Sequence, residues 1–525
     1  MEGFLQTKNY QQFTVVDEGG NVLYSFEGAK KANRCLPGDS VVVNNNANSV
    51  VVKDDKVALK ERVPSLPIAG YLELDSKTTY GSTKRHVPLY LFTPLNPSYP
   101  PFIVSSSETN KVKKVALIDF LEWEETRELP RGALKQLIGN AGTLEAEEAG
   151  LLWSTCPWTG LKAGIEVLAD DCPTRTPVKG FTFNVDPAGC KDIDDCVSFE
   201  EIGENEWWIT ITISDVASCV EEMGAVDCMA AVQGQTLYRD GTAIRPMLPP
   251  ALSEEACSLV AGTERRGISL SFVWRREAIH SLEWSETTIK NDKTYTYENV
   301  PEEYAKLLTG CTSAIAGRSV TDAHEWIEVL MKLYNCEAAK LLVKAGVGIL
   351  RRHSAPDQER LAKYTAMRPE LAALANAAAA YCLVGEPDTT HFGLGTDAYC
   401  HATSPIRRYA DLANQRILKQ VIRGNLQGLC VSVPVSDLNL RAKVSKAYER
   451  DRVFLNCLLG AGKREFEAIV LEIGEKVVLW IPEWSQKVKC VTNRSVAEGQ
   501  TVVVRCAMNI GARRWKERMV IEILA

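Results

Sequence analysis

The chain has 525 residues, 45% of them hydrophobic and 24% charged. That length exceeds what one core organises, and the balance is that of folded domains rather than of disordered or collagenous chains. A formal net charge of −7 excludes a chain-wide basic footprint, so any contact with nucleic acid must come from local patches. The longest apolar stretch, Leu371 to Val384, contains Asn376 and is too short to span a bilayer. The opening residues Met1-Glu2-Gly3-Phe4 lack a basic region followed by an apolar core, so a cytoplasmic protein without a membrane partner is expected. Sixteen cysteines occur without one C-x-x-C pair and sit singly in apolar runs, which predicts buried free thiols rather than zinc or disulfides.

In chain order, residues 12–60 read as short strands. Phe13–Val16 and Val22–Phe26 flank the hairpin signal Asp17-Glu18-Gly19-Gly20-Asn21, and Val41–Val43 and Val50–Val52 follow, so a small β-barrel is expected. A second all-β segment runs from Ile68 to about Trp123, with Pro88, Pro94, Pro97, Pro100 and Pro101 marking loops or edges. Lys111, Lys113 and Lys114 alternate partly with valines, which fits either a solvated strand face or a nucleic-acid contact. Leu134, Leu137, Ile138, Leu144 and Leu151-Leu152 suggest short helices in a linker.

The next and largest region opens on Asn184-Val185-Asp186-Pro187-Ala188-Gly189-Cys190-Lys191-Asp192-Ile193-Asp194-Asp195. Four aspartates fall within ten residues, between the strand-like runs Phe181–Phe183 and Cys196–Phe199. A solvated acidic turn is the plainer reading. Carboxylates crowded at the mouth of core strands need a counter-charge, and a hard divalent cation is the usual partner of an all-oxygen ligand set. The loop is therefore read as a magnesium site. An EF-hand is excluded, because counting from Asp192 puts Cys196 and Gly203 where ligands are required.

Trp208–Ile213 reads as a strand ending in Ser214-Asp215, and Ser253-Glu254-Glu255 as a capped helix start. From Thr321 helices dominate, with Trp326, Ile327, Leu330 and Leu333-Tyr334 at helical spacing. A second chemical stretch runs from His391 to Leu412. Ser404 suits an N-cap and Pro405 a first helical position, with Ile406, Ala410, Ala413, Ile417 and Val421 as the apolar stripe. Arg407 would then stand in the first helical turn, where the macrodipole disfavours cations unless both serve an anion, so a phosphate site oriented by Asp411 is expected. A long basic helix follows from Leu438 to Leu459, with Glu449 among its cations. Strand runs at 468–471, 477–481, 501–504 and 519–523 suggest a last small barrel, where Arg513-Arg514-Trp515-Lys516 interleaves cations with an aromatic, which fits stacking on bases and a barrel hairpin equally.

Taken together, these motifs resemble the signature of the ribonuclease II (RNB) family. They are Val185-Asp186-Pro187 with Asp192-Ile193-Asp194-Asp195, Ile213-Ser214-Asp215-Val216, Arg245-Pro246-Met247-Leu248-Pro249, Leu252-Ser253 with Cys257-Ser258-Leu259, Arg351-Arg352-His353-Ser354-Ala355-Pro356, and Thr403-Ser404-Pro405-Ile406-Arg407-Arg408-Tyr409-Ala410-Asp411-Leu412. Order and spacing match from about Pro177 to Leu459.

The resemblance implies an α+β multidomain fold, with small OB or cold-shock barrels at 1–63, 64–128 and 463–525, a linker at 129–173 and a mixed α/β catalytic domain at 174–462. A compact form is expected, without the endonuclease (PIN) domain of some members. Implied too are hydrolysis of single-stranded RNA from its 3′ end to nucleoside 5′-monophosphates, magnesium or manganese as cofactor, two ions during catalysis, a monomeric state and no dinucleotide cofactor.

By position, Asp186, Asp192, Asp194 and Asp195 match the metal-site aspartates, with Asp194 and Asp195 catalytic. Arg407 matches the arginine on the scissile phosphate, Tyr238 the aromatic on the 3′-terminal base, Tyr297 the tyrosine that sets product length, and Glu449 an acid near the terminal nucleotide. Cys196, Ala402 and Val347 depart from the pattern, Val347 where a second base-stacking phenylalanine stands in the bacterial enzyme. Two other readings compete: an RNA-binding protein that keeps the fold without turnover, and a nucleotidyltransferase, for which no triphosphate-binding element is found.

Overall fold

The structure, a computed structural model, describes residues 2–17, 20–43, 57–62, 66–156, 168–172, 174–239, 241–460, 462, 464–509, 512 and 515–524. Two compact units are formed, one by Met1–Thr159 with Val444–Ala525 and the other by Gly160–Lys443.

The first unit begins with β1 (Glu2–Thr7), β2 (Gln12–Val16), β3 (Val22–Glu27), β4 (Ser40–Val43) and β5 (Val57–Glu61). They form an antiparallel sheet in the order β3-β2-β1-β4-β5. Alternation buries Leu5, Phe13, Val15, Phe26, Val41 and Val43 on one face, where Phe13 and Phe26 stack at 5.0 Å. The expected hairpin pairs Phe13 with Phe26, whereas β1 was not read from the sequence. The run Val50–Val52 lies outside the described residues.

Strands β6 (Ile68–Leu72), β7 (Leu89–Pro94), β8 (Phe102–Ser105), β9 (Lys114–Glu122) and β10 (Arg131–Asn140) close a barrel in the order β10-β8-β7-β6-β9. Pro97, Pro100 and Pro101 fall between β7 and β8, as their missing N–H groups require. The expectation of helices in the linker 129–173 is corrected here: Leu134, Leu137 and Ile138 lie on β10. Register shifts between Leu134 and Gln136 and between Leu137 and Gly139 break the two-residue alternation, so apolar residues fall at a spacing that imitates a helix. Helix α1 (Leu144–Thr155) does form. Its fully buried Glu147 accepts from Tyr71 Oη, from Gly142 N (2.8 Å) and from Arg518 Nη1 (3.3 Å). The lysines singled out for this barrel are engaged locally, Lys111 on the Tyr90 hydroxyl and Lys114 on Asn140 Oδ1.

The second unit is built on a seven-stranded mixed sheet. Its strands are β11 (Thr176–Pro177), β12 (Phe181–Val185), β13 (Asp195–Gly203), β14 (Glu206–Ser214), β17 (Glu264–Arg275), β18 (Ala278–Lys290) and β19 (Lys293–Tyr295), in the order β11-β18-β17-β14-β13-β12-β19. Helix α2 (Ala225–Gln233) and the hairpin of β15 (Leu237–Arg239) and β16 (Thr242–Arg245) are inserted between β14 and β17. Ala251–Ala256 is a π-helical turn, not a helix capped by Ser253, whose hydroxyl instead turns back to Pro249 O.

Helices α3 (Glu302–Ala316) and α4 (Ala323–Ala345) follow, then β20 (Ile349–Arg352), α5 (Gln358–Met367), β21 (Ala380–Leu383), α6 (Tyr409–Ile422) and α7 (Val435–Leu459). The main core joins Phe183, Val197, Ile211, Leu270 and Phe272 of the sheet to Trp326, Leu330, Tyr334 and Leu342 of α4. Ala402 is buried in this core and Val347 packs against it. A row of buried hydroxyls crosses the sheet, Thr182 to Ser198 (2.7 Å), Thr210 to Ser271 (2.9 Å) and Thr212 to Ser269 (2.8 Å), satisfying groups that burial would otherwise penalise.

The chain returns to the first unit with β22 (Glu465–Glu472), β23 (Val477–Ile481), β24 (Gln486–Cys490), β25 (Thr501–Met508) and β26 (Met519–Ile523), a sheet in the order β24-β23-β22-β25-β26. Trp515 is 3% exposed, so of the two readings its run allowed it is a core anchor rather than a base-stacking ring. Arg513 and Arg514 lie outside the described residues. All sixteen cysteines are free thiols and most are buried. Among the described residues no helix is long and apolar enough to cross a membrane.

Candidate active site

The acidic loop leaves β12 at Val185 and enters β13 at Asp195. Asp186 N donates to Tyr295 O (3.1 Å), continuing the pairing of β12 with β19, and Asn184 Nδ2 donates to Asp186 Oδ2 (2.8 Å). Asn184 is itself set by Asn291 Nδ2 (2.8 Å) and Thr294 Oγ1 (2.9 Å).

The far half of the loop is held by a short segment after the π-helical turn. Ser258 Oγ donates to Lys191 O (2.6 Å) and accepts from Ile193 N (3.0 Å), while Leu259 N donates to Ile193 O (3.0 Å). Ile193, Cys196, Leu259 and Ile289 pack beneath it, and Ser214 N donates to Asp194 O (2.8 Å). The carboxylates therefore stand on a backbone pinned from two sides.

Arg407 meets this loop directly. Asp194 is 3% exposed, its Oδ1 accepting from Ile406 N (3.0 Å) and its Oδ2 from Arg407 Nε (3.0 Å). Two expectations are corrected. Helix α6 starts at Tyr409, with Arg408 at the N-cap and not Ser404. Thr236 N takes Arg407 O (2.9 Å) and Tyr409 N takes Gly234 O (2.9 Å), so neighbouring backbone holds 404–408 in a turn ahead of the helix. Asp411 orients Arg408 (2.7 Å) and Ser404 N (2.8 Å), not Arg407. Gln415 ties α6 to the end of β14 through Ser214 O (2.7 Å) and Ala217 N (3.0 Å).

Tyr238 Oη donates to Asp192 Oδ2 (2.6 Å). Burial and the Asp192 carboxylate push this phenol up, so it stays a donor. Tyr297 stacks on His324 with ring centroids 3.8 Å apart; burial, then Asp186 and Asp195, push its phenol up to about 12. Seven of the eight predicted residues thus belong to one unit: Asp186, Asp192, Asp194, Asp195, Tyr238, Tyr297 and Arg407. Glu449 is exposed on α7 in the first unit.

The electrostatics show a cluster short of positive charge. Burial lifts the Asp194 carboxyl to about 7 against the pull of Arg407. Asp195 is raised well above the carboxylate range by burial and then by Asp186 and Asp194; among the described residues its side chain has no hydrogen bond or ion pair. Asp186 is raised by burial and Asp192, offset by Asn184 and Arg407. All-oxygen donors, mutual repulsion and an unpartnered carboxylate fit a hard divalent cation.

A second acidic group, Asp171, Asp215 and Glu286, brings its ligand oxygens within 4.8 Å of one another. Its counter-charges are already present: Lys419 lies 2.9 Å from Asp171 and 2.8 Å from Asp215, Arg175 2.7 Å from Asp215 and Arg423 2.5 Å from Glu286. Donor chemistry alone would admit an ion there, but the buried ammonium of Lys419 occupies the position an ion would neutralise. Sequence reading missed this network, whose members are separated by up to 252 residues, and it quoted Ser258 within the Cys257-Ser258-Leu259 motif without giving it a role.

Residues 178–313 and 301–424 match the model of the RNB domain, and residues 89–155 that of the Dis3-like cold-shock domain 2. Among curated relatives, the chain is 24% identical to the probable exosome complex exonuclease RRP44 of Caenorhabditis elegans, over 86% of this chain and 58% of that one. It is 26% identical to ribonuclease R of Helicobacter pylori (59% and 60%) and 26% identical to exoribonuclease 2 of Aeromonas hydrophila (53% and 52%). The chain thus spans between half and three fifths of the length of these relatives.

Among solved structures, the fold is similar to RNase R of Mycoplasma genitalium in its apo form (TM-score 0.72, 17% identity, all of both chains) and in complex with ribose methylated single-stranded RNA (TM-score 0.71, 16%, all of both chains). It is also similar to yeast Ssd1, a pseudonuclease (TM-score 0.66, 17%, 93% of this chain and 78% of that one).

Proposed function

This chain belongs to the RNB family, and from that premise we propose that it is a magnesium-dependent exoribonuclease, hydrolysing single-stranded RNA processively from the 3′ end to nucleoside 5′-monophosphates. The observation that carries the reading is the direct pairing of Arg407 with Asp194 inside a loop of four aspartates. In this reading the domain limits follow the resemblance, except that β10 belongs to the second barrel.

Asp186, Asp192 and Asp195 would hold magnesium or manganese, with Asp194 shared between the ion site and Arg407. The chemistry supplied by bound magnesium is Lewis acidity at the phosphodiester and a lower cost of deprotonating the attacking water. The chain's own part is positioning and charge. Asn184 and Ser258 fix the spacing of the aspartates, and the Tyr238 hydroxyl orients Asp192 while its ring is offered to the 3′-terminal base. Arg407, partly exposed and steered by Asp194, presents its remaining N–H groups to the phosphate oxygens, where negative charge grows in the transition state. Tyr297, beside Asp186 and Asp195, bounds the space for the last nucleotides.

The second reading, RNA binding without cleavage, draws on the fold shared with a pseudonuclease. Four retained aspartates and Arg407 favour turnover. The test is cleavage of 5′-labelled single-stranded RNA with and without magnesium by the wild type and by Asp194→Asn.

A further inference from the structure

The arginines of the second unit's catalytic face are mostly accounted for. Arg407 pairs with Asp194 (3.0 Å), Arg408 with Asp411 (2.7 Å) and Arg352 with Glu386 (3.0 Å). Arg351 is the exception: among the described residues it has neither a carboxylate within 4 Å nor a side-chain hydrogen bond.

It is nevertheless held in place. Its strand β20 pairs with β21 so that Arg351 lies opposite Tyr381, and the guanidinium carbon stands 4.6 Å from the Tyr381 ring centroid. Arg351 N donates to Tyr399 O (2.7 Å). Tyr381 is fixed in turn: its hydroxyl is 2.9 Å from His401 Nδ1, and Asn439 brackets its backbone through Tyr381 N (2.7 Å) and Tyr381 O (2.9 Å). A guanidinium stacked on a ring and left without an acid keeps its N–H edge for an external oxyanion, and that planar fork matches phosphate.

The surroundings have the same sign. His401 is held well below its usual range, first by burial and then by Arg408, Arg351, His391 and Arg407, so these three arginines share one electrostatic neighbourhood. Asp411 turns its Oδ1 to Arg408 and Ser404 N, not to Arg351.

We propose that Arg351, stacked on Tyr381, is a backbone-phosphate subsite for RNA, holding a phosphodiester other than the one cleaved at Arg407. This rests on the RNA-degrading reading above. The subsite reads charge and not base, and it serves binding and register on the strand rather than the chemical step.

The experiment uses the full chain and 5′-labelled single-stranded RNA in magnesium-free buffer with chelator, so that binding is seen without turnover. Arg351→Gln removes the charge and the guanidinium fork while keeping a polar side chain on β20. It is expected to weaken binding about tenfold at moderate salt, the worth of a charge-assisted hydrogen bond, and to make the slope of log K against log salt shallower by about 0.7, one single-strand phosphate contact. Arg351→Lys should retain the wild-type slope. A single uncharged methylphosphonate linkage walked along the RNA should weaken wild type at one internal position where Arg351→Gln is indifferent. With magnesium restored, kcat at saturating RNA should be unchanged while KM rises. An unaltered salt slope and an unaltered methylphosphonate profile in Arg351→Gln would overturn the subsite while leaving the exonuclease reading intact. Wild-type protein that fails to bind RNA would overturn both.

Discussion

Ser258 offers the sharpest test of how the acidic loop is held. Its hydroxyl is fully buried, donates to Lys191 O at 2.6 Å and accepts from Ile193 N at 3.0 Å, so Ser258→Ala deletes two hydrogen bonds with one atom. Ile193 N, buried and left unpaired, costs about 1–3 kcal/mol, the lost bond to the part-buried Lys191 O adds about 0.5–1.5 kcal/mol, and together the expected loss is about 2–4 kcal/mol. The bond from Leu259 N to Ile193 O survives, so the loop should loosen rather than detach.

Amide hydrogen exchange reads this locally, and protection at Ile193 should fall about thirtyfold or more, since each 1.4 kcal/mol of opening energy is tenfold. Asp192 and Asp194 flank the freed segment, so the magnesium concentration for half-maximal activity should rise and kcat should fall. Unchanged Ile193 protection with an unchanged magnesium requirement would refute the argument that this hydroxyl spaces the aspartates.

Two other substitutions separate roles that geometry alone leaves together. Arg407→Ala should lower kcat by about 10²–10³ while reducing RNA affinity far less, because charge builds on the phosphate in the transition state; equal losses in steady-state kinetics and equilibrium binding would make Arg407 an anchor only. Lys419→Met leaves Asp171, Asp215 and Glu286 facing one another beside Arg175 and Arg423, and should cost about 3–5 kcal/mol of stability in denaturant titration. A variant as stable as wild type would show that Lys419 is not the cation the triad depends on.

Much of the site was legible because it is local. Asp186 to Asp195 sit between two buried strands that the apolar runs already mark, and the motif around Arg407 is contiguous. What the sequence concealed is tertiary. Ser404 and Pro405 carry every sign of a helix start, yet bonds to Gly234 and Thr236 pull 404–408 out of the helix, and Asp411 bonds Ser404 N in place of any cap. On β10 the bulges disguise a strand as a helix. An aromatic among cations reads the same whether it stacks on a base or anchors a core, and Trp515 is the latter. Arg351 was quoted within a motif but without a role, because only the structure shows that Arg352, Arg407 and Arg408 have acids and that, among the described residues, it has none.

The central claim is that Asp194 and its loop cleave RNA. The direct measurement is the fate of 5′-labelled single-stranded RNA incubated with wild-type protein and with Asp194→Asn, with and without magnesium, resolved at single-nucleotide length and with released mononucleotides followed in parallel. The account predicts that wild type with magnesium shortens the RNA from its 3′ end to a short oligomer with release of nucleoside 5′-monophosphates, and that omission of magnesium or the Asp194→Asn substitution abolishes this. Undiminished cleavage by Asp194→Asn, or intact RNA after incubation of wild type with magnesium, would contradict it.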